Sequence, residues 1–274
     1  LRFNRDYELT IAISDTQAII IKPPLNIVFD CLKTTKSSLN KLDLRLFNLN
    51  ESRRLELTKE KGSKRRIPIV LKVGYEGRLE VIFKGDINVS STERNGTDFI
   101  TNIECFDGGH DYLNAFTSRT VKGKDAAIEA ILRDMTSTTK GKITQLKELL
   151  RPKVLVGSSS KLIEEMLEPD EEFFIDNEQL FIMKENEVNG SYAPLISAQT
   201  GLINTPERED DIIYFNSMMN PTIALGGFCN VDSKTAPNLN GVYKVQAINY
   251  SGEYEGQDWV QSVQAKLMAN YKVL

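Results

Sequence analysis

The sequence predicts an α+β protein that is mainly β, with a small α/β unit set between two β-rich flanks. Three observations carry this expectation. Apolar and polar side chains alternate over most of residues 1–106 and again from residue 194 onward, which is the two-residue period of half-buried strands. Between them the period turns helical, with Ala127, Ile128, Ile131, Leu132 and Met135 on one stripe and Leu162, Ile163, Met166 and Leu167 on another. The chain then closes on GVYKVQAINYSGEYEGQDWVQSVQAKL, two strands joined by an acidic, glycine-punctuated loop.

Taken in order, Tyr7, Leu9, Ile11 and Ile13 form the first apolar stripe, and a second run from Leu25 to Leu32 follows the Pro23-Pro24 break. Leu42, Leu44 and Leu46 alternate against Asp43, Arg45 and Phe47. Residues Asn50 to Lys61 favour a short helix, because Asn50 can cap it and Leu, Glu, Arg and Lys sustain it. A meander follows: IPIVLKVGY turns at Glu76-Gly77, LEVIFKGDINVSS runs back, Asn95-Gly96 supplies the next turn, and FITNIECF completes it. Lys124 to Met135 is helical, a Ser/Thr and Lys run separates it from ITQLKELL, and Pro152 closes that piece. VLVGSSSKLIEEML reads strand, loop, helix, with Ser158 to Ser160 offering N-caps, and EFFIDNEQLFIM is a hairpin turning near Asp176-Asn177. SAQTGLINTPERED is irregular, whereas IIYFNSMMNP and FCNVDS are strands. In the closing hairpin Tyr243, Val245 and Ala247 share one face, with Lys244 and Gln246 on the other. Trp259, Val263, Ala265 and Leu267 share a face broken only by Gln261; Asp258, Ser262, Gln264 and Lys266 oppose them, with Val260 the exception. The two flanks are either one β-unit interrupted by the α/β piece or two similar units, and no internal repeat decides between these.

The totals bound the class. At 274 residues the chain exceeds a usual domain of roughly 100 to 200 residues, and 41% apolar with 26% charged residues is an ordinary folded composition. The net charge of −4 conceals a split: residues 1–66 hold 14 Lys/Arg against 8 Asp/Glu, a net of +6, leaving −10 for the rest. Such asymmetry points to contacts between neighbouring subunits more than to nucleic-acid binding. Cys31, Cys105 and Cys229 are too few and too dispersed for a disulfide framework or zinc site and are expected as buried thiols. No apolar run is long enough for a membrane span, so no membrane insertion is expected. The start LRFNRDYEL has no signal-peptide core and begins at Leu1 rather than Met, so a few leading residues are expected to be missing.

Candidate chemistry is sparse. The sole histidine, His110, lies in FDGGHDY, where Asp107 and Asp111 could join it around an ion, although a plain loop between domains is the commoner reading. Ser158 and Lys161 satisfy a bare S-x-x-K, but the companion SDN and KTG motifs of serine acyl-enzymes are missing and helix capping accounts for the serines. Acidic clusters at Glu168 to Glu172, at Glu207 to Asp211, and at Glu253, Glu255 and Asp258 could supply a glycosidase pair only if two acids faced across a cleft. The basic run Lys59, Lys61, Lys64, Arg65 and Arg66 has no interleaved aromatics, which argues against single-strand binding. Its readings are a solvated loop or a contact with an acidic neighbour. No Walker loop, GxGxxG or GxSxG is present. No catalytic residue, metal or cofactor is expected.

The ordered series FNRDYELTI, PPLNIVFDCLKTTKSSLNKLDLRLFNL, VGYEGRLEVIFKGDI, NGTDFITNIECFDG, TGLINTPERED, MMNP and NGVYKVQAINYSGEYEGQDW resembles the baseplate hub, or tail tip hub, proteins of tailed bacteriophages and related contractile particles. Asn249 stands where that family leads one to expect a histidine. The resemblance implies tube-forming, β-barrel-like domains, two per subunit, with 1–110 as the N-terminal tube-type β-domain, 111–190 as the inserted α/β domain and 191–274 as the C-terminal β-domain completing the ring. It further implies a structural virion component: a homotrimeric, pseudo-sixfold ring in the tail baseplate, joined to the tail tube protein, the tip spike and other baseplate proteins, with DNA passing through the lumen. The interface residues expected on this reading are Arg65, Arg66, Glu253, Glu255 and Asp258. The rival from another class is a tail-associated cell-wall hydrolase or glycan-binding module, supported only by the acidic clusters.

Overall fold

The alternating stripes of both flanks become a single sheet. The computed structural model describes residues 4–14, 16–63, 65–146, 151–190, 192–268 and 272–274. The first flank supplies β1 (Arg5–Ser14), β2 (Gln17–Ile21), β3 (Ile27–Thr34), β4 (Lys41–Phe47), β5 (Pro68–Tyr75), β6 (Arg78–Asn95) and β7 (Asp98–Phe106), with α1 (Glu51–Leu57) between β4 and β5. The middle holds α2 (Gly109–Asn114), β8 (Phe116–Val121), α3 (Lys124–Asp134), β9 (Thr139–Ile143), β10 (Lys153–Ser158), α4 (Ser159–Glu164), β11 (Glu171–Asp176) and β12 (Gln179–Lys184). The last part adds β13 (Glu187–Val188), β14 (Leu195–Ser197), β15 (Glu207–Glu209), β16 (Ile212–Met218), β17 (Phe228–Asp232), β18 (Gly241–Glu253), β19 (Trp259–Leu267) and β20 (Lys272–Val273). Among the described residues no helix is long and apolar enough to cross a membrane.

The main sheet runs β15-β16-β19-β18-β3-β4-β7-β6-β5-β1-β2, with β14 and β17 attached beside β18. The β18–β3 ladder, from Ala247↔Thr34 to Glu253↔Val28, joins the two flanks. They are therefore one hydrogen-bonded unit interrupted by the α/β piece. Among the described residues the sheet does not close into a barrel: β2 and β15 are its two ends. It does curl. The long β6 pairs with β5 up to Asp86 and with β7 from Asp86 onward, and a register shift between Ile87 and Val89 marks the corner; an extra residue of this kind bends a strand and adds twist. The curl brings β1 and β5 against the closing hairpin, where the Arg5 guanidinium donates to the carbonyls of Glu253, Gly256 and Gln257 at 2.9, 2.6 and 2.6 Å. Trp259 Nε1 donates to the Gly74 carbonyl at 3.3 Å. One core fills the interior, with Tyr7, Leu9, Ile11, Phe29, Leu44, Leu71 and Phe83 from the first flank against Val245, Ile248, Tyr250, Trp259 and Val263 from the last.

Local chemistry explains most element boundaries. Asn50 Oδ1 accepts from the Arg53 N–H at 2.9 Å and starts α1. The helix stops at Leu57 rather than continuing to Lys61, because Lys59 leaves it to bridge Ser90. Glu76 and Gly77 both take positive φ at the expected turn. The next turn falls one place later than expected: Asn95 pairs with Asp98, so Gly96-Thr97 are central and Gly96 carries the positive φ. The hairpin of β11 and β12 likewise turns on Asn177-Glu178, with φ of 53° and 61°.

The closing hairpin pairs as expected, but its faces need one correction. A register shift between Val245 and Ala247 exchanges the faces of β18 at that point, so Tyr243 and Val245 are followed in the core by Ile248 and Tyr250 while Ala247 leaves it. Gln261, the break in the apolar stripe, is nonetheless buried, and its Oε1 accepts from the Asn220 N–H at 3.0 Å. The three cysteines are free and buried; burial pushes the Cys31 and Cys229 thiols up to about 12.

The α/β piece has a separate core built on Ala127, Ile128, Ile131, Leu155, Leu162, Ile163, Phe173 and Ile182. GGHDY is not a plain loop: α2 occupies it. Part of ITQLKELL, residues 147–150, lies outside the described residues. Ser158 holds the N-cap position of α4 but makes no capping bond. Its Oγ is 3.0 Å from that of Ser160, and Ser159 and Ser160 reach Thr117 Oγ and the Tyr112 carbonyl at 2.9 and 3.1 Å. These serines fasten the helix to neighbouring elements instead of capping it.

Candidate interface surfaces

Two surfaces and one buried seam gather the polar chemistry. The seam joins the main sheet to the β11–β12 hairpin. Ile27, Phe29 and Cys31 point into the core from β3, and Lys33 follows them on the same side. It is buried, with Nζ 2.5 Å from Asp176 Oδ1 and 3.3 Å from Asn177 Oδ1. Asp107 accepts the backbone N–H groups of Asn177 and Glu178 at 2.5 and 2.8 Å. Burial, reinforced by the Asp176 charge, pushes the Asp107 carboxyl up to about 7 against the opposing pull of Lys33 and the two N–H donors. Burial alone would lower the Lys33 ammonium, but Asp176 and Asp107 outweigh it and hold the group charged. Asn40 Nδ2 donates to the Ile175 carbonyl at 2.8 Å. Lys244, on the polar side of β18, is also buried, since the α/β piece covers that side: its Nζ reaches Glu172 and the Lys184 and Glu185 carbonyls at 3.1, 3.1 and 3.3 Å.

The first surface is the outward face of β18, β3, β4, β7 and β6, a groove of about 490 Å³. Across it Ser251, Asp30, Asp43 and Glu104 stand in one row of directly paired positions on four adjacent strands. Like charges directly opposite one another on a sheet destabilise it. Partners relieve part of this cost: Lys41 Nζ lies 3.0 Å from Asp43 and 3.1 Å from Glu104, Asn88 donates to Glu104 at 2.7 Å, and Asn249 donates to Asp30 at 3.2 Å. Burial raises the Glu104 carboxyl, but the Asn88 and Lys41 bonds outweigh it and hold the group below its ordinary value. Glu253 and Asp258 extend the acidic lining, which also includes Arg45.

The second surface is a pocket of about 410 Å³ where the sheet meets α2, lined by Lys59, Arg65, Arg66, Phe106, His110 and Leu113 among others. Lys59 is buried and donates to the Ile87 carbonyl; burial lowers its ammonium.

The expected interface residues are spread over both surfaces. Arg65 is exposed at the pocket and, among the described residues, its guanidinium has no acidic partner. Arg66 is engaged inside the chain, bonding Asp86 at 2.8 and 3.0 Å and Glu178 at 2.9 Å. Lys64 lies outside the described residues. Glu253 and Asp258 line the acidic groove, and Glu255 is exposed beside them, its N–H donating to Asn26 Oδ1 at 3.2 Å. Three of the other clustered acids are held within the chain: Glu168 pairs with Lys124 at 2.8 Å, Glu172 with Lys244 at 3.1 Å and Asp211 with Lys266 at 3.2 Å. Asp111 accepts the Ser137 N–H at 2.7 Å. Among the described residues no cluster of His, Cys, Asp and Glu could hold a metal. Periodicity could not find Lys244, because the covering hairpin comes from distant sequence. Lys33 did leave a signal, as a lysine ending an apolar stripe.

A curled antiparallel sheet bearing an inserted α/β unit is the fold of tail proteins from phage-type particles. It matches the prophage MuSo2 43 kDa tail protein of Shewanella oneidensis (TM-score 0.61, 8% identity, 96% of this chain and 98% of that one). It also matches the E. coli c3393 protein, a type VI secretion component described as similar to the T4 tail proteins gp27 and gp5 (TM-score 0.66, 9% identity, 96% and 78%), and a Francisella PdpA-VgrG complex (TM-score 0.58, 10% identity, 100% and 61%). At these identities the likeness establishes the fold. The sequence settles the family: the model for "Baseplate hub gp41" matches residues 7–264, and the chain belongs to that family. No curated protein matches it significantly.

Proposed function

We propose that the chain is the structural hub subunit of a phage-type baseplate, acting without enzymatic chemistry. Three copies form a pseudo-sixfold ring that continues the tail tube above a tip spike, and DNA passes through it. On this reading residues 1–110 and 191–274 build the ring, and 111–190 form an outlying unit. The two open sheet ends, β2 and β15, support association with neighbours, because unpaired strand edges are templates for further pairing. Likeness to a chain of a PdpA-VgrG complex supports a bound partner protein.

The observation that carries the reading is the acidic row Asp30, Asp43 and Glu104 on an open sheet face. A sheet that keeps like charges opposite one another loses stability, so the row fits a surface role better than a folding role. As a lumen lining it repels the phosphate backbone and lets DNA slide without sticking. The hydrolase alternative draws no support, since Glu253 and Asp258 sit in a shallow sheet groove among the same acids rather than as an isolated pair. The test changes Asp30, Asp43 and Glu104 together to lysine in assembled particles. We expect intact tails whose DNA ejection is slowed several-fold, while the Asn/Asn/Gln control ejects normally. Unchanged ejection by the lysine particles would remove this face from the lumen.

A further inference from the structure

The α/β unit carries an unexplained sticky surface. Strands β8 and β10 form a two-stranded ribbon, and among the described residues no third strand joins it. One face is packed: Thr117 and Leu155 are fully buried, and α3 and α4 contribute to the same core cluster as Leu155. The register sets Val154 opposite Thr120, Val156 opposite Ser118 and Ser158 opposite Phe116, so these six side chains share the other face. On it Phe116, Val154 and Val156 are 61%, 66% and 60% exposed. Directly paired and diagonal neighbours on a ribbon lie within about 8 Å, so the three make one patch. Strands with open edges are ordinarily blunted by charge or proline on the exposed face; this one is apolar in the middle. Charge appears at one end, where Lys122, Arg151 and Lys153 lie in or beside the Lys153↔Val121 pair and, among the described residues, form no salt bridge.

We infer that this ribbon is a docking site for an extended segment of another tail protein, in which apolar residues alternate with Asp or Glu. Such a segment adds a third strand, lays its apolar side chains beside Phe116, Val154 and Val156, and brings carboxylates to the cationic end. A second copy of this chain fits less well, because it would bring the same three cations and leave both sets uncompensated. The site lies on the outlying unit and does not depend on the ring or on the lumen face.

The test places the photo-crosslinking residue p-benzoylphenylalanine at position 156, and separately at 154, in assembled tail particles, and maps the adducts by mass spectrometry. The expected adduct joins either position to a segment of a different tail protein with alternating apolar and acidic residues. Its yield falls at least fivefold when Lys122 and Lys153 are both changed to glutamate, with the melting temperature of the purified chain unchanged. An adduct to a second copy, to a segment without acids, or no adduct from either position would overturn the inference, as would a yield indifferent to the two charge reversals.

Discussion

Replacing Trp259 with alanine is expected to lower stability by about 3 to 5 kcal/mol, the range for deleting a large buried aromatic side chain. Trp259 is buried where the closing hairpin meets the opposite side of the curled sheet. Its ring meets Phe29 edge to face at 5.3 Å, the Arg5 guanidinium lies 5.8 Å from its centroid, and its N–H holds the Gly74 carbonyl. The same side chain thus packs against β3, β1 and β5 at once. Gly252, directly opposite it in the ladder, leaves no room for compensation: a Cβ there would come within 2.3 Å of the Phe29 ring. Urea melts of the two proteins measure the loss. A difference under about 1 kcal/mol, that of an ordinary surface change, would mean that the curl does not seal on this residue.

Lys33→Met is expected to cost about 3 to 5 kcal/mol, because removing one member of a buried ion pair leaves its partners charged without compensation. The partners are Asp176, at 2.5 Å, and Asp107 behind it. The cost should also depend on pH. The folded Asp107 carboxyl sits at about 7 against an ordinary 3.8, so between those values the native state binds more protons than the unfolded chain. Stability from this group therefore falls as pH rises from about 4 to about 7 and levels off above that. Without Lys33 the carboxyl rises further and the falling limb extends past neutrality. Melts at pH of about 5 and about 8 should show the larger Lys33→Met penalty at the higher pH. An equal penalty at both would mean that Asp107 does not titrate with the seam.

Much of this was legible in the sequence, and what was missed has physical causes. Strands such as Tyr7 to Ile11 and Leu42 to Leu46 were read correctly because each buries a single face, which makes alternation explicit. Alternation puts Ala247 on the wrong face because a bulge inserts one residue without changing composition. Strand β2 leaves little trace in the sequence because a five-residue strand at the sheet's end has little pattern to show. The sequence leaves open whether the two flanks form one unit or two, since the β18–β3 ladder that joins them links residues more than two hundred positions apart. The candidate surfaces divide in the same way. Glu253 and Asp258 stand out in the sequence as a charged loop, but Asp30, Asp43 and Glu104 do not, because they become a row only when three strands align. Arg66 looked like a free surface charge and is held by Asp86 and Glu178, one of them from the distant α/β piece.

The claim that this baseplate hub subunit works as a threefold ring is tested most directly by mass photometry of the purified chain mixed with its tail tube partner. The expected result is a dominant complex whose mass contains three copies of the 30.9 kDa chain on the tube ring. A persistent complex of one copy with one tube subunit, at concentrations that saturate the partner, would contradict the ring.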